Sequence, residues 1–349
     1  MKVALIGCGM IAPTHFRALK MIVPSAEICL CDADRSKVKE LGTKWGISNL
    51  YTDLEDMLTS EHPDSAHVLT PPQSHAEIAQ KMIRAGTHVL VEKPITETSE
   101  DFIKLSRLAK EEERILAANY STLGMPIVIE ARQQIASGSL GRLISAHCTY
   151  AASWPGNTIP YGNPDHWAYK LLGGVLQNWA DHPLSLIVSV MDSVEEQRVI
   201  LNRRNLLPLD SPDLLHVVLK GQDQIGSFTL SLGHGNTDIR AHFILEEASI
   251  TLDLRRMLIS VTKGRGPANR IKRAFSGVLE GYSYISGTLS NVVGMATKRV
   301  QREPGIFTAI SNFYRTIEGK EELLISHDMI FAITKILEEI WKEIPFRKS

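Results

Sequence analysis

Two short stretches combine residue types and spacings that can do chemistry. The first, Gly7-Cys8-Gly9-Met10-Ile11-Ala12, directly follows an apolar run and opens a helix-like pattern. This is the G-x-G-x-x-A arrangement that cradles a dinucleotide pyrophosphate. Gly7 permits the tight turn, Gly9 lets the backbone approach the anion, Ala12 lets the helix pack close to the sheet, and Met10 and Ile11 lie between. Asp32 stands 20 residues beyond Ala12, at the end of the next apolar run, where a carboxylate accepts hydrogen bonds from ribose hydroxyls. Asp32 and Asp34 repel a 2′-phosphate, so NAD is expected in preference to NADP, with Arg35 leaving NADP as the alternative.

The second stretch is Glu92-Lys93-Pro94. In isolation it reads as a surface lysine paired with its neighbouring acid. At the carboxyl end of a parallel strand, where open α/β sheets hold their ligands, Lys93 becomes a candidate base. Beside a positive nicotinamide ring and partly desolvated, its amine is expected to release its own proton readily and to accept that of a substrate hydroxyl.

The elements that position these groups are legible as alternating periodicities. Apolar runs at 3–6, 27–31, 66–69, 88–91 and 115–118 read as strands, with helices such as 75–85 and 97–113 between them. That alternation predicts a doubly wound parallel sheet, a Rossmann domain over residues 1–120. Residues 121–349 read as an α+β domain for substrate and oligomer contacts. It has helices at 126–137 and 174–191, a strand at 143–150, and a largely antiparallel meander of runs at 216–220, 226–232, 242–245, 249–254 and 258–262. Two helices close the chain at 305–318 and 327–343, with Gly319 and Pro345 as stops.

Thr70-Pro71-Pro72-Gln73-Ser74-His75, followed by Gly86-Thr87-His88-Val89-Leu90-Val91-Glu92-Lys93-Pro94 and preceded by the glycine turn, resembles the glucose-fructose oxidoreductase/inositol dehydrogenase/rhizopine catabolism (Gfo/Idh/MocA) family. The resemblance implies an NAD-dependent dehydrogenase acting on a secondary alcohol of a sugar, cyclitol or nucleotide-linked sugar. It places Thr70, Pro71, His75, Glu92 and Asn119 with Gly7, Gly9, Met10, Ile11 and Asp32 around the cofactor. The family's second catalytic segment is similar to residues 173–182, where His182 matches but Asn178 stands in the usual position of an aspartate. Asn178 and His182, at i and i+4, share one helix face, whereas Asp181 points about 100° away. An amide orients a hydroxyl but holds no charge, so catalysis is expected to rest on Lys93 and His182. Family position also brings His166 and Trp167 near the substrate, an indole suiting the apolar face of a pyranose. Two alternatives stay open: a non-catalytic NAD-binding regulator, suggested by Asn178, and a glycoside-cleaving enzyme with internal redox.

The 349 residues carry a net charge of -1, with 44% of them hydrophobic, which fits a globular two-domain protein and gives no global reason to expect nucleic acid. Four cysteines, Cys8, Cys29, Cys31 and Cys148, are too few and too scattered for a disulfide framework, so a cytoplasmic setting is expected, without a metal. The apolar stretch before Cys8 is too short for a secretory signal, and no 18-residue apolar run occurs.

One segment departs from the neutral average. Residues 254–302 hold ten lysines and arginines against a single acid, Glu280. Between the basic clusters, Phe275, Val278, Leu279, Tyr282, Ile285, Leu289, Val292, Val293 and Ala296 recur at helical spacing. They predict an amphipathic helix over 274–297 within a possible insertion at 263–303, although four glycines each weaken it by about 1 kcal/mol. Its apolar face is expected either to pack on its own domain or across a homo-oligomer, or to make peripheral contact with a membrane.

Overall fold

The computed structural model describes residues 1–153, 163–209, 211–264, 270–297 and 303–343. Its chain divides into two compact units, one of residues 1–124 with 303–338 and one of residues 125–302 with those from 339 onward. The first opens with β1 (Lys2–Ile6), α1 (Ala12–Ile22), β2 (Glu27–Cys31), α2 (Arg35–Trp45), β3 (Leu50–Tyr51), α3 (Leu54–Glu61) and β4 (Ser65–Val68). It continues with α4 (His75–Arg84), β5 (His88–Glu92), α5 (Ser99–Glu111) and β6 (Leu116–Asn119). The six strands are parallel, in the order β3-β2-β1-β4-β5-β6. Val3, Ala4, Leu5 and Ile6 are all buried without alternation, as a strand covered on both faces requires. The short β3 was not legible as a strand: it is two half-buried residues held by β2.

Side chains cap most of these helices. Asp34 accepts the Ser36 amide at 2.9 Å, and Asp53 accepts those of Glu55 and Asp56. The start of α1 is different: it has a proline in its first turn, no capping side chain and no acid. Pro13 has no N–H, and the Ala12 and Thr14 amides donate to Gly9 O and Ile11 O at 3.2 and 2.9 Å, so no side chain occupies this helix start.

The second unit holds α6 (Pro126–Ala136), β7 (Leu143–Ser153), α7 (Gly174–Val188), β8 (Glu196–Asn202), β9 (Leu214–Lys220) and β10 (Ile225–His234). It continues with β11 (Asp238–Leu245), β12 (Ala248–Asp253), β13 (Leu258–Lys263) and α8 (Arg270–Ala296). Its sheet runs β13-β12-β11-β7-β10-β9-β8. The expected meander is interrupted, because the long β7 inserts between β10 and β11, parallel to the former and antiparallel to the latter. Gly226 in β10 allows close approach of α7, since a Cβ there would lie 2.5 Å from Ile187 Cγ2.

The predicted amphipathic helix is present as α8, but it is turned the other way from a domain-packed helix. Its small and polar side meets the β12–β13 hairpin: Asn291 Nδ2 donates to the carbonyls of Arg256 and Met257 at 2.9 and 3.0 Å. Gly294 is buried, and a Cβ on Gly287 would touch Leu258 at 2.8 Å. The apolar side chains Val278, Tyr282, Ile285, Leu289, Val292 and Val293 are exposed. Of the basic flanks, residues 265–269 and 298–302 lie outside the described residues.

The chain ends with α9 (Pro304–Ile317) and α10 (His327–Glu343). A second domain running unbroken from residue 121 is not what the structure shows, because α9 packs on α1, β5 and β6. Ile306, Ile310, Phe313 and Tyr314 share one apolar cluster with Val3, Leu5, Leu19 and Leu90. Gly319 stops α9 as expected, with φ +69°, while Pro345 lies outside the described residues. Among the described residues, no helix is long and apolar enough to cross a membrane.

Candidate active site

The glycine turn sits between β1 and α1. Gly7 has φ +101°, and its amide donates to Cys31 O at 2.8 Å. A Cβ there would lie 2.7 Å from the Leu69 carbonyl carbon and 2.8 Å from Thr70 N, so only glycine fits. Gly9 differs: a Cβ would meet nothing within 4 Å, leaving space beside the uncapped start of α1. Asp32, half-buried at the end of β2, accepts the Cys8 amide at 2.7 Å and the Asp34 amide at 2.8 Å. Its carboxylate thus fixes the turn while remaining partly exposed. An uncapped helix start, an open space at Gly9 and a carboxylate one strand away fit the pyrophosphate and ribose of NAD. The cysteines nearby are all buried, and burial lifts the Cys8 thiol to about 12, so it stays protonated.

Thr70, Pro71 and His75 follow β4. Thr70 Oγ1 accepts the Ser74 hydroxyl at 2.8 Å. His75 is fully buried, its Nδ1 2.8 Å from Pro94 O and its Nε2 2.7 Å from Thr70 O. Burial lowers its pKa against the pull of the two carbonyls, which favour the charged ring. His75 is therefore a brace between the loop after β4 and the Lys93-Pro94 turn, which contains a cis peptide bond.

Lys93, half-buried, immediately follows β5. Beside it, Glu92 Oε1 accepts from His15 Nε2 at 2.9 Å and from Asn119 Nδ2 at 2.5 Å. Burial alone would push the Glu92 carboxyl up, but His15, Asn119 and the charge of Lys93 together hold it below the ordinary value. Asn119 Oδ1 is a buried acceptor with no hydrogen-bond partner among the described residues, suited to an amide N–H such as the nicotinamide carboxamide.

Behind Glu92 runs a chain that sequence reasoning missed. His15 Nδ1 lies 3.0 Å from His67 Nδ1, and His67 Nε2 lies 3.0 Å from the Tyr314 hydroxyl, which is 3.3 Å from Ser65 Oγ. One arrangement of protons satisfies the links with both rings neutral. Tyr314 donates to His67, His67 donates to His15, and His15 donates to the Glu92 carboxylate. Burial lowers the His67 pKa well below its ordinary value, and any charge on His15 would lower it further, in keeping with a neutral His67 ring.

In the second unit, Gly173 and Gly174 start α7, and the Gln177 side chain accepts the Gly173 amide at 2.8 Å. A Cβ on Gly173 would lie 2.4 Å from the Trp341 ring. Asn178 and His182 share one half-buried face of α7, whereas Asp181 is fully buried, as its 100° offset predicts. Tyr150 of β7 stacks on the His182 ring with centroids 5.6 Å apart and planes 11° apart, and Trp179 lies 5.8 Å from Tyr150. Sequence reasoning missed both aromatics, although Trp179 sits three residues before His182, one helical turn away. His166 Nδ1 accepts the Ala168 amide at 3.2 Å, so its Nε2 carries the proton in the neutral ring, and Trp167 adjoins it at 5.1 Å.

The structure thus gathers Gly7, Gly9, Asp32, Thr70, Glu92, Lys93 and Asn119 at the carboxyl ends of one parallel sheet, the arrangement of a Rossmann oxidoreductase. Comparison with known proteins agrees. Residues 1–120 match the model of the oxidoreductase family with an NAD-binding Rossmann fold, and residues 128–251 match the GFO/IDH/MocA C-terminal domain. The chain belongs to the Gfo/Idh/MocA family, and its cofactor is NAD. It is 28% identical over 234 residues to an uncharacterised oxidoreductase of Schizosaccharomyces pombe, covering 62% of this chain and 60% of that relative, less than two thirds of its length. It is 24% identical over 274 residues to scyllo-inositol 2-dehydrogenase (NAD(+)) of Bacillus subtilis, covering 75% and 77% of the two chains. The WlbA dehydrogenase from Bordetella pertussis, solved in complex with NADH and UDP-GlcNAcA, superposes with a TM-score of 0.77 at 17% identity. That superposition covers 98% of this chain and 94% of the other, and it shows the shared fold.

Proposed function

We propose that the protein is an NAD-dependent dehydrogenase that transfers hydride between the nicotinamide and a secondary alcohol of a sugar, cyclitol or nucleotide-linked sugar. The observation that carries this reading is the Glu92–Lys93–Asn119 group at the carboxyl edge of the same sheet as the open anion-binding turn. Bound NAD would supply the hydride acceptor for the alcohol carbon. Lys93 takes the hydroxyl proton as the carbonyl forms. Glu92, held ionised, fixes Asn119 so that its Oδ1 would be free to accept from the carboxamide of bound NAD. His182, steadied by Tyr150, assists at the hydroxyl, and Asn178 orients the substrate without adding charge. Trp167 and His166 contact the sugar. The inositol dehydrogenase relative and the nucleotide-sugar complex of the fold neighbour support the substrate class.

The test is a panel of sugars, cyclitols and nucleotide sugars incubated with NAD and followed by NADH absorbance. Sustained NADH formation is expected for one member of the panel. Cleaved product without net NADH would overturn the reading in favour of a glycoside-cleaving enzyme with internal redox. Tight NAD binding with no turnover across the panel would favour the regulator that Asn178 suggests.

A further inference from the structure

The α8 helix is inverted relative to the usual amphipathic helix of a globular unit, which buries its apolar stripe. At 100° per residue, Val278, Tyr282, Ile285, Leu289, Val292 and Val293 fall within one arc of about 100°. Gly287, Asn291 and the buried Gly294 fall on the opposite side, where Gly287 and Asn291 meet the β12–β13 hairpin. Tyr282 is 70% exposed, Ile285 63% and Leu289 61%. The helix has 27 residues, a length of about 40 Å at 1.5 Å per residue. Soluble proteins rarely leave a contiguous apolar stripe of this extent uncovered without a use for it.

Charge selects the occupant. Residues 254–302 hold ten basic residues and one acid in a chain whose total is -1. Basic residues bracket both ends of the stripe in sequence: Arg270, Lys272 and Arg273 before it, Lys298, Arg299 and Arg302 after it. A second copy laid stripe to stripe would bring together two segments of like charge, each with ten basic residues and only Glu280 to offset them. An anionic lipid surface satisfies both the exposed apolar arc and the basic character of the segment. Since no described helix is long and apolar enough to cross a bilayer, the fitting geometry is one lying in the interface plane. We propose that α8 is an interfacial anchor that docks this protein on an anionic bilayer surface.

The test uses the full chain and vesicles of phosphatidylcholine alone or mixed with phosphatidylglycerol, separated by sedimentation. Binding to the mixed vesicles is expected to weaken as salt rises and to be far weaker on phosphatidylcholine alone. Ile285→Asp with Leu289→Asp is expected to abolish it while the melting temperature and NAD affinity stay unchanged, because both side chains are exposed. Lys298→Ala with Arg299→Ala is expected to lower the partition coefficient about thirtyfold. Absence of wild-type binding at low salt overturns the proposal, as does undiminished binding of the double aspartate variant. If instead the wild type ignores vesicles and the aspartate variant breaks an oligomer in sedimentation velocity, the stripe belongs to a second copy and the proposal fails.

Discussion

The two glycines of the cofactor turn should fail in different ways when each is replaced by alanine, and the geometry sets the difference. At Gly7, φ +101° places alanine in a region L residues avoid, at a cost of about 1–3 kcal/mol. The added Cβ would also press on Leu69 C at 2.7 Å and Leu69 O at 2.8 Å, and this backbone is pinned by the Leu69 amide donating to Ile6 O at 2.7 Å. With nowhere for either strand end to move, Gly7→Ala should cost about 3 kcal/mol or more and lower the melting temperature by about 6–12 °C. At Gly9 the same Cβ meets nothing within 4 Å, so Gly9→Ala should leave the melting temperature of the cofactor-free protein within about a degree or two. The methyl would nevertheless fill the space left for the pyrophosphate, so NAD affinity should fall about tenfold or more. Thermal unfolding without cofactor and calorimetric titration with NAD separate the two effects. Wild-type NAD affinity in Gly9→Ala, or a wild-type melting temperature in Gly7→Ala, would refute the assignment of the turn.

Asp32→Ala removes the proposed ribose acceptor and the tie to the Cys8 amide, so NAD affinity should drop at least about tenfold and the preference over NADP should narrow. An unchanged cofactor preference in competitive titration would count against it. Lys93→Met should lower kcat about a hundredfold or more while NAD still binds, with His182→Ala doing less. Near-normal turnover of the Lys93 variant on an established substrate would remove Lys93 from the mechanism. His67 is neutral when folded but ionises at its ordinary value of 6.5 when unfolded. Below that pH the unfolded chain holds the extra proton, so stability present above pH 6.5 should decline on acidification, with up to about 1.4 kcal/mol per pH unit from this group. His67→Gln should flatten the acid limb of the unfolding free energy, and an unchanged slope would disprove the contribution.

The cofactor half was legible because its chemistry is local in sequence. A positive-φ turn needs glycine at Gly7, an acid belongs at the end of the next strand, and Lys93 comes directly after the strand-forming run Val89-Leu90-Val91 and Glu92. The same local logic found the shared face of Asn178 and His182. It could not find partners brought together only by the fold. Tyr314 meets His67 across 247 residues of chain, and His67 itself reads as an interruption in an apolar strand until its two partners are known. Nor could periodicity choose which side of α8 faces the sheet. Apolar spacing shows that a helix is two-faced, but the packing side is decided by close approach, which Gly287 permits beside Leu258 and a larger residue would prevent.

The return of residues 303–338 to the first unit follows from the same chain of buried polar groups. His67 is fully buried inside the sheet, and the hydroxyl that meets its Nε2 is carried by α9. Without α9, the amino-terminal 124 residues would leave that nitrogen unsatisfied and uncover the apolar surfaces now met by Ile306, Ile310 and Phe313. Loss of the Tyr314 donor would also remove the constraint that makes His67 give its one proton to His15, and hence the constraint that points the His15 proton at Glu92. The boundary near residue 120 therefore separates motifs in the sequence without completing the first unit, which also needs α9. The orientation of Glu92, one residue from Lys93, depends on a tyrosine contributed from near the far end of the chain.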